Sequence, residues 1–323
     1  MNMDATPARP TIHDRLANLR LPAFAAPMFL VSGPDLVVAA CQAGLVGSFP
    51  TPNARTVEIL DEWLRTISTG LAAPPASDVG YEQALWSVNM VVHRTSKRMP
   101  QDLELVVRYQ PPIVITALGS PARVVNDVHS YGGLVFADVN DVTYARKAVD
   151  AGADGLVLVC SGAGGHTGQM CNFAFVDEVR RFWDGYIALG GGISTGHAIR
   201  AAEVMGADFG YIGTSFIAAA ESQAEPDYRD MLVASTASDL IVSKAFTGAN
   251  ASMLLPSIIN QGIDLASLTD KKAKFNFTGQ EGMEVKPWKG IWSAGQGVGS
   301  IDRVAPIEQI VARLKTEYAA AGK

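Results

Sequence analysis

Short, continuously apolar runs recur along the chain, each preceded by a glycine that closes a helix-like stretch. The repeat is plainest at Gln42-Ala43-Gly44-Leu45-Val46, Tyr131-Gly132-Gly133-Leu134-Val135-Phe136, Ala151-Gly152-Ala153-Asp154-Gly155-Leu156-Val157 and Met205-Gly206-Ala207-Asp208-Phe209. Glycine after a helix takes the left-handed conformation without a Cβ penalty. The runs that follow do not alternate apolar with polar, which is the pattern of strands buried on both faces of a parallel sheet. Repetition of helix, glycine and strand predicts βα units in series.

On this pattern eight strands are predicted near residues 24–28, 45–49, 86–90, 113–117, 134–139, 155–159, 186–189 and 209–212. A helix over 35–43 follows the start signal Ser32-Gly33-Pro34, and one over 56–69 carries Leu60, Trp63, Leu64 and Ile67 at helical spacing. Pro121 is expected to open a helix at its favoured first position. Val142, Ala145 and Val149 share one helical face, as do Ala198, Ala201, Ala202 and Met205. Eight strands with helical connections predict an α/β fold, a (βα)8 TIM barrel; two ordinary domains are the alternative. The expected division is an N-terminal tail (1–20), a barrel (21–225), an extension beside the barrel that covers the active site (226–304) and a closing helix (305–323). The extension starts with a helix and short extended pieces over 228–243. It continues through a polar stretch, 262–287, where Lys271, Lys272 and Lys274 suit a solvated loop. Ile307, Ile310, Val311 and Leu314 give the closing helix its apolar face.

Composition narrows the class. The chain has 323 residues, 48% hydrophobic and 18% charged, which excludes a disordered protein. A net charge of -6 gives no general footprint for nucleic acid. Three cysteines make no even framework and lack metal-ligand spacing, which points to a reducing cytosol. Residues 1–10 contain no apolar signal-peptide core, and no run is long enough to span a bilayer. A cytoplasmic enzyme without membrane or nucleic-acid partners is the expectation.

In a barrel of this kind chemistry belongs to the loops after the strands. Those loops contain Pro27 and Met28; Asn89 and Met90; Ser161-Gly162-Ala163-Gly164-Gly165-His166-Thr167-Gly168; Gly190-Gly191-Gly192-Ile193; and Gly213-Thr214-Ser215. Glycine clusters after the last two strands, with a short helix starting at Thr214 or Ser215, predict a backbone cradle for phosphate. Gly162 to Gly165 lack the G-x-G-x-x-G spacing and lie late in the chain, so a Rossmann reading is rejected. His166 lies between glycines with no bulky neighbour to bury it, and its near-neutral pKa suits a general base or a partner for an anion. His13 and His129 read as surface residues, and His93 and His197 as bystanders near the site. The glycine-rich segment 291–299 is equally compatible with a surface turn and with a lid. Cys160 and Cys171 flank the His166 loop without a partner base, which argues against a nucleophilic cysteine. No Ser-His-Asp set or metal motif is recognisable.

These loops together resemble the nitronate monooxygenase family, formerly 2-nitropropane dioxygenases. The resemblance rests on Ala26-Pro27-Met28, Asn89, Gly164-Gly165-His166-Thr167-Gly168, Gly190-Gly191-Gly192-Ile193 and Gly213-Thr214. It extends to Ala245-Phe246-Thr247-Gly248 and Trp292-Ser293-Ala294-Gly295-Gln296-Gly297. It implies an FMN-dependent barrel enzyme in which His166 is catalytic. The implied FMN contacts are Met28, Asn89, Gly164, Gly191, Gly192 and the phosphate segment Tyr211, Ile212, Gly213 and Thr214. It implies oxidative denitrification of a nitronate or nitroalkane with O2 to a carbonyl compound and nitrite, and it is compatible with a homodimer. The sequence departs from many members at Val159-Cys160-Ser161-Gly162, where they have Gln-Gly-x-Glu, and at Tyr211, where they have Gln. On the same FMN scaffold the alternative is an NAD(P)H-dependent quinone or enoyl-thioester reductase. A flavin-binding protein without turnover is the alternative of another class.

Overall fold

The computed structural model describes residues 10–72, 85–269 and 290–322. Eight parallel strands close a barrel: β1 (Ala23–Ala25), β2 (Val46–Pro50), β3 (Trp86–Val91), β4 (Ile113–Ala117), β5 (Leu134–Val139), β6 (Gly155–Val159), then β8 (Tyr186–Gly190) and β9 (Phe209–Ile212). The two-residue β7 (Gly165–His166) leaves the barrel. It pairs antiparallel with β11 (Ala251–Leu254), which pairs antiparallel with β10 (Leu240–Ser243). All eight strands expected of a (βα)8 barrel are present. The small outer sheet was not foreseen, because its strands come from segments far apart in sequence.

The repeating glycines act as expected. Gly44, Gly132, Gly152 and Gly206 have φ of 98°, 80°, 87° and 103°, each just past a helix. Two local expectations change. The first strand stops at Ala25 rather than Met28, since Pro27 has no N–H to donate to a ladder. The chain instead turns, with the Met28 carbonyl accepting the N–H groups of Val31 and Ser32. Pro121 opens a three-residue 3-10 turn, Pro121–Arg123, and the α-helix starts only at Val125. Proline at a first helical position fits both helix types, so sequence alone does not separate them.

The barrel interior is aromatic at its base. Phe24, fully buried, lies 5.7 Å from Phe136, 5.4 Å from Phe209 and 6.1 Å from Tyr211, measured between ring centroids. Room for Phe136 is made by Gly155 on the adjacent strand, where a Cβ would come within 2.4 Å of the Phe136 ring. Helix Ile12–Ala17, held by a reciprocal Thr11/Asp14 capping box, packs Leu16 into this same cluster. The helices around the barrel bury one apolar face each, as in Val57–Ala72 with Leu60, Leu64, Ile67 and Leu71. Helix Ile307–Ala320 packs on Gly196–Val204, where Tyr318 sits under the Arg200 guanidinium at 3.9 Å. Part of the loop expected over 262–287 falls outside the described residues, including Lys271, Lys272 and Lys274. Among the described residues no helix is long and apolar enough to cross a membrane.

Phe24→Ala is expected to cost about 3–5 kcal/mol, because it removes the ring around which the interior aromatics pack. Urea unfolding followed by circular dichroism checks this; a loss below about 1 kcal/mol would show that the interior repacks without it.

Candidate active site

The strand ends converge on a cavity of about 290 Å³. Its lining includes Met28, Asn89, Gly164, His166, Gly191, Gly192, Tyr211, Gly213 and Thr214. These are all the site residues implied by the family resemblance except Ile212, whose fully buried side chain belongs to the core and whose carbonyl accepts the Ala26 N–H. One wall has almost no side chains: Gly162, Gly164, Gly165, Gly190, Gly191, Gly192, Gly213, Gly295 and Gly297 all contribute. A bound molecule can therefore approach backbone directly. Among the described residues no lysine or arginine lines this cavity, so an anion held by them depends on backbone donors and hydroxyls such as those of Ser194 and Thr214.

The helix after β8 contributes less to that cradle than its position suggests. It spans Gly196–Val204, and its first N–H is taken by the Glu317 carboxylate at 2.8 Å. Gly191 has φ of 129°, and a Cβ there would lie 2.9 Å from the Ser161 carbonyl oxygen. A side chain at 191 thus distorts the neighbouring 160–162 turn rather than simply entering the cavity.

Segment 293–297 closes the cavity, which resolves the two readings of the glycine-rich stretch in favour of a lid. The Gly295 N–H donates to Thr214 Oγ1 at 2.9 Å, and the Gln296 N–H to the Gly162 carbonyl at 2.9 Å. Ser252 Oγ donates to the Ala294 carbonyl at 2.8 Å. Trp292 stacks on Tyr228, with centroids 5.1 Å apart, and the Tyr228 hydroxyl donates to the Ser293 carbonyl.

His166 stands where this cavity meets a larger one of about 1020 Å³; Pro27, Phe29, Asn89, Asp138 and Val159 line both as well. Burial holds the His166 pKa below its usual 6.5, so the ring is neutral at pH 7. That favours a base over a cationic partner for an anion. Its Nε2 lies 3.1 Å from Thr247 Oγ1, which is itself 3.2 Å from the Ala249 carbonyl. If the hydroxyl proton goes to that carbonyl, Thr247 accepts from Nε2–H and the ring lone pair resides on Nδ1. Thr247 belongs to the Ala-Phe-Thr-Gly motif, but only pairing of β7 with β11 shows what it touches. Of the other histidines, His93 lines the outer cavity and His197 is exposed. His13 bonds Tyr186 and His129 pairs with Asp154, both on the surface. Burial raises the Cys160 thiol to about 12, which removes it as a nucleophile at neutral pH.

Two further polar residues were missed. Asn53 is buried, and its side chain fixes the loop after β1: Nδ2 donates to the Met28 carbonyl at 2.9 Å and the Ser32 carbonyl at 2.8 Å, while Oδ1 accepts the Leu30 N–H at 2.8 Å. Leu30 has φ of 63°, a conformation this bond helps to hold. The turn bearing Asn53 is tied in its own place by Arg98, which donates to the carbonyls of Thr51 and Ala54 at 2.6 Å each and pairs with the buried Asp102. The second is Asp138 on β5, whose Oδ2 accepts from Asn89 Nδ2 at 3.2 Å. Asp138 Oδ1 and the Tyr211 hydroxyl are buried oxygens without a hydrogen-bond partner. Neither residue carries a sequence motif that marks it.

The sequence model of the nitronate monooxygenase family matches residues 11–317. The chain belongs to the nitronate monooxygenase family. Membership makes it an oxidoreductase. It is 26% identical over 284 residues to a nitronate monooxygenase of Paraburkholderia phytofirmans, covering 77% of each chain. It is 28% identical over 242 residues to a monooxygenase-named protein of Mycobacterium tuberculosis, covering 70% of this chain and 64% of that one. It is also 23% identical over 245 residues to a hydroxy-methyl-oxo-octahydroindene-carboxyl-CoA dehydrogenase of Rhodococcus jostii, covering 76% and 65%. The chain thus spans less than two thirds of the length of these last two. In fold it is similar to a nitroalkane oxidase of Streptomyces ansochromogenes (TM-score 0.78, 21% identity, 94% and 97% coverage). It is similar also to FabK of Thermotoga maritima (TM-score 0.75, 21% identity, 96% of each chain). The Tyr211 ring packs against Phe24 in the barrel interior.

Asn53→Ala is expected to lower stability by about 1–3 kcal/mol, since it leaves buried backbone groups unsatisfied. Because the same bonds shape the Met28 loop, ligand affinity at the glycine-walled cavity should fall with it. Thermal melting and equilibrium dialysis with FMN check the two effects.

Proposed function

We propose that this family member binds FMN non-covalently and uses it to oxidise alkyl nitronates with O2, giving a carbonyl compound and nitrite. The observation that carries this reading is a neutral, partly buried His166 at the junction of a glycine-walled cavity with a roomier outer one. The residues present fit the cofactor: a wall of glycines admits a large planar group, and two orphaned buried oxygens, on Asp138 and Tyr211, mark a polar end that the protein itself leaves unpaired. Gly191, Gly192, Gly213 and Thr214 would hold the phosphate, and Met28, Asn89 and Gly164 the ring. Bound there, FMN supplies the redox chemistry between substrate and O2.

The protein's own part is orientation and proton handling. Substrate enters through the outer cavity, which reaches His166 directly. With a neutral nitroalkane, the unprotonated His166 nitrogen takes the α-proton; Thr247 holds the ring in place for that transfer. With a preformed nitronate no proton has to move, and His166 only orients the anion. Ser293, Gly295 and Gly297 of the lid line the inner cavity and narrow the space around a bound group.

A second reading, an NAD(P)H-dependent reductase of quinones or enoyl thioesters, is favoured by one observation. The outer cavity, about 1020 Å³, is larger than a short nitroalkane needs. The visible spectrum of the purified protein, then anaerobic mixing with propionate 3-nitronate and separately with NADH, tests both. Bleaching by the nitronate supports the first reading; bleaching by NADH with steady turnover of a quinone supports the second. A colourless protein that takes up no FMN overturns both.

His166→Asn should retain FMN and melt near the wild type. Turnover of a neutral nitroalkane should drop by about 10²–10⁴-fold, and turnover of a preformed nitronate much less. Equal small losses on both substrates would exclude His166 as the base.

The pH profile gives a separate check. A base with a lowered pKa stays unprotonated into mild acid, so kcat/KM for a neutral nitroalkane should be lost only as pH falls through a value below 6.5. An acid limb centred above 6.5 would contradict a buried neutral imidazole.

A further inference from the structure

Asp138 is the acidic residue of the inner cavity, and the chain does not treat it as a structural ion. It projects from β5 and lines both the inner and the outer cavity. A carboxylate buried for structural reasons is normally met by a cation or several donors, as Asp102 is by Arg98 and Thr51. Asp138 has one donor, the Asn89 amide at 3.2 Å, and its Oδ1 has none. The Tyr211 hydroxyl, on β9 across the barrel, is likewise buried and unpartnered, and is close enough for the Asp138 charge to oppose its ionisation.

We propose that Asp138, with Asn89 and Tyr211 as its neighbours, is the charge-setting residue of the ring site: its carboxyl decides how readily a bound flavin accepts negative charge. The inference rests on the flavin reading given above. Asp138 is a positioning residue here, acting by its field and its proton rather than on substrate.

The physical basis is the cost of an unpaired charge. Burial raises the Asp138 carboxyl to about 7, with the Asn89 bond opposing the shift. Below that pH the group is a neutral acid, and a reduced ring beside it meets no repulsion. Above it the carboxylate repels added negative charge, and the repulsion is relieved when reduction draws a proton onto Asp138. Among the described residues nothing else lining the inner cavity supplies a compensating charge. The groups facing it are Asn89 from β3, Tyr211 from β9, whose phenol stays neutral, and His166, which burial also keeps neutral. His93, Asp141 and Lys147 line only the outer cavity. On β4 the nearest polar neighbour, Thr116, spends its hydroxyl on the Phe136 carbonyl.

The test is the flavin midpoint potential of the FMN-loaded protein from pH 5.5 to 9, read as protons taken up per two electrons. In the wild type the uptake should rise by one proton in a window opening near pH 7. Asp138→Asn, which keeps the shape and neutrality of the acid, should match the wild type below pH 7 and lack the extra proton above it. A merely structural role for Asp138 would change flavin retention or melting without changing the proton count. Superimposable slopes for wild type and Asp138→Asn, with FMN bound in both, overturn the proposal while leaving the flavin reading intact. Failure of the wild type to take up FMN overturns both.

Discussion

Closure of the barrel by its shortest strand is the constraint on which the rest depends. β1 has three residues, yet it pairs with β2 on one side and with β9 on the other, matching Ala23, Phe24 and Ala25 to Gly210, Tyr211 and Ile212. This pairing brings the loop after the first strand against the loop after the last. Met28 and Gly213, far apart in sequence, thereby become neighbours in one cavity wall. Phe24 fills the interior below them, so the register that closes the sheet also sets the floor of the site.

Above that floor the site is held by backbone rather than by charge. Asn53 binds the loop after β1 through three main-chain groups, and Arg98 and Asp102 fix the turn that presents Asn53. The lid is tied by main-chain bonds to the Gly162 carbonyl and to Thr214. Side chains can then be omitted from the glycine wall, because rigidity comes from behind it. The polar groups that remain inside, His166 and Asp138, are desolvated in consequence. The same burial moves their pKa values in opposite directions, the base down and the acid up, so that near pH 7 His166 is neutral and Asp138 is in the middle of its titration.

The repeated glycines and continuously apolar runs were enough to place all eight barrel strands, because strands buried on both faces leave an unambiguous mark in composition. The glycine loops likewise pointed to the residues that line the inner cavity, since their places at strand ends follow from barrel topology. Asn53 and Asp138 were not readable in this way. Each is a lone polar residue in ordinary surroundings, and what distinguishes it is a partner, or a missing partner, on another strand. The lid was undecided for a related reason: a Gly-, Ser- and Trp-containing segment has the same composition on a surface as over a cavity.

What the sequence determined by itself was therefore the local and periodic part: strand and helix positions, the barrel class and the loops at its chemical end. These depend on side-chain periodicity and on glycine's backbone freedom, which are properties of neighbouring residues. Tertiary structure alone decided the protonation chemistry. Whether His166 is a base, and whether the Asp138 carboxyl keeps its proton, depends on how much water and how many hydrogen-bond partners each finds after β7 pairs with β11 and β5 faces β9 across the barrel. Desolvation is a property of the folded surroundings, and no spacing of residues along the chain encodes it.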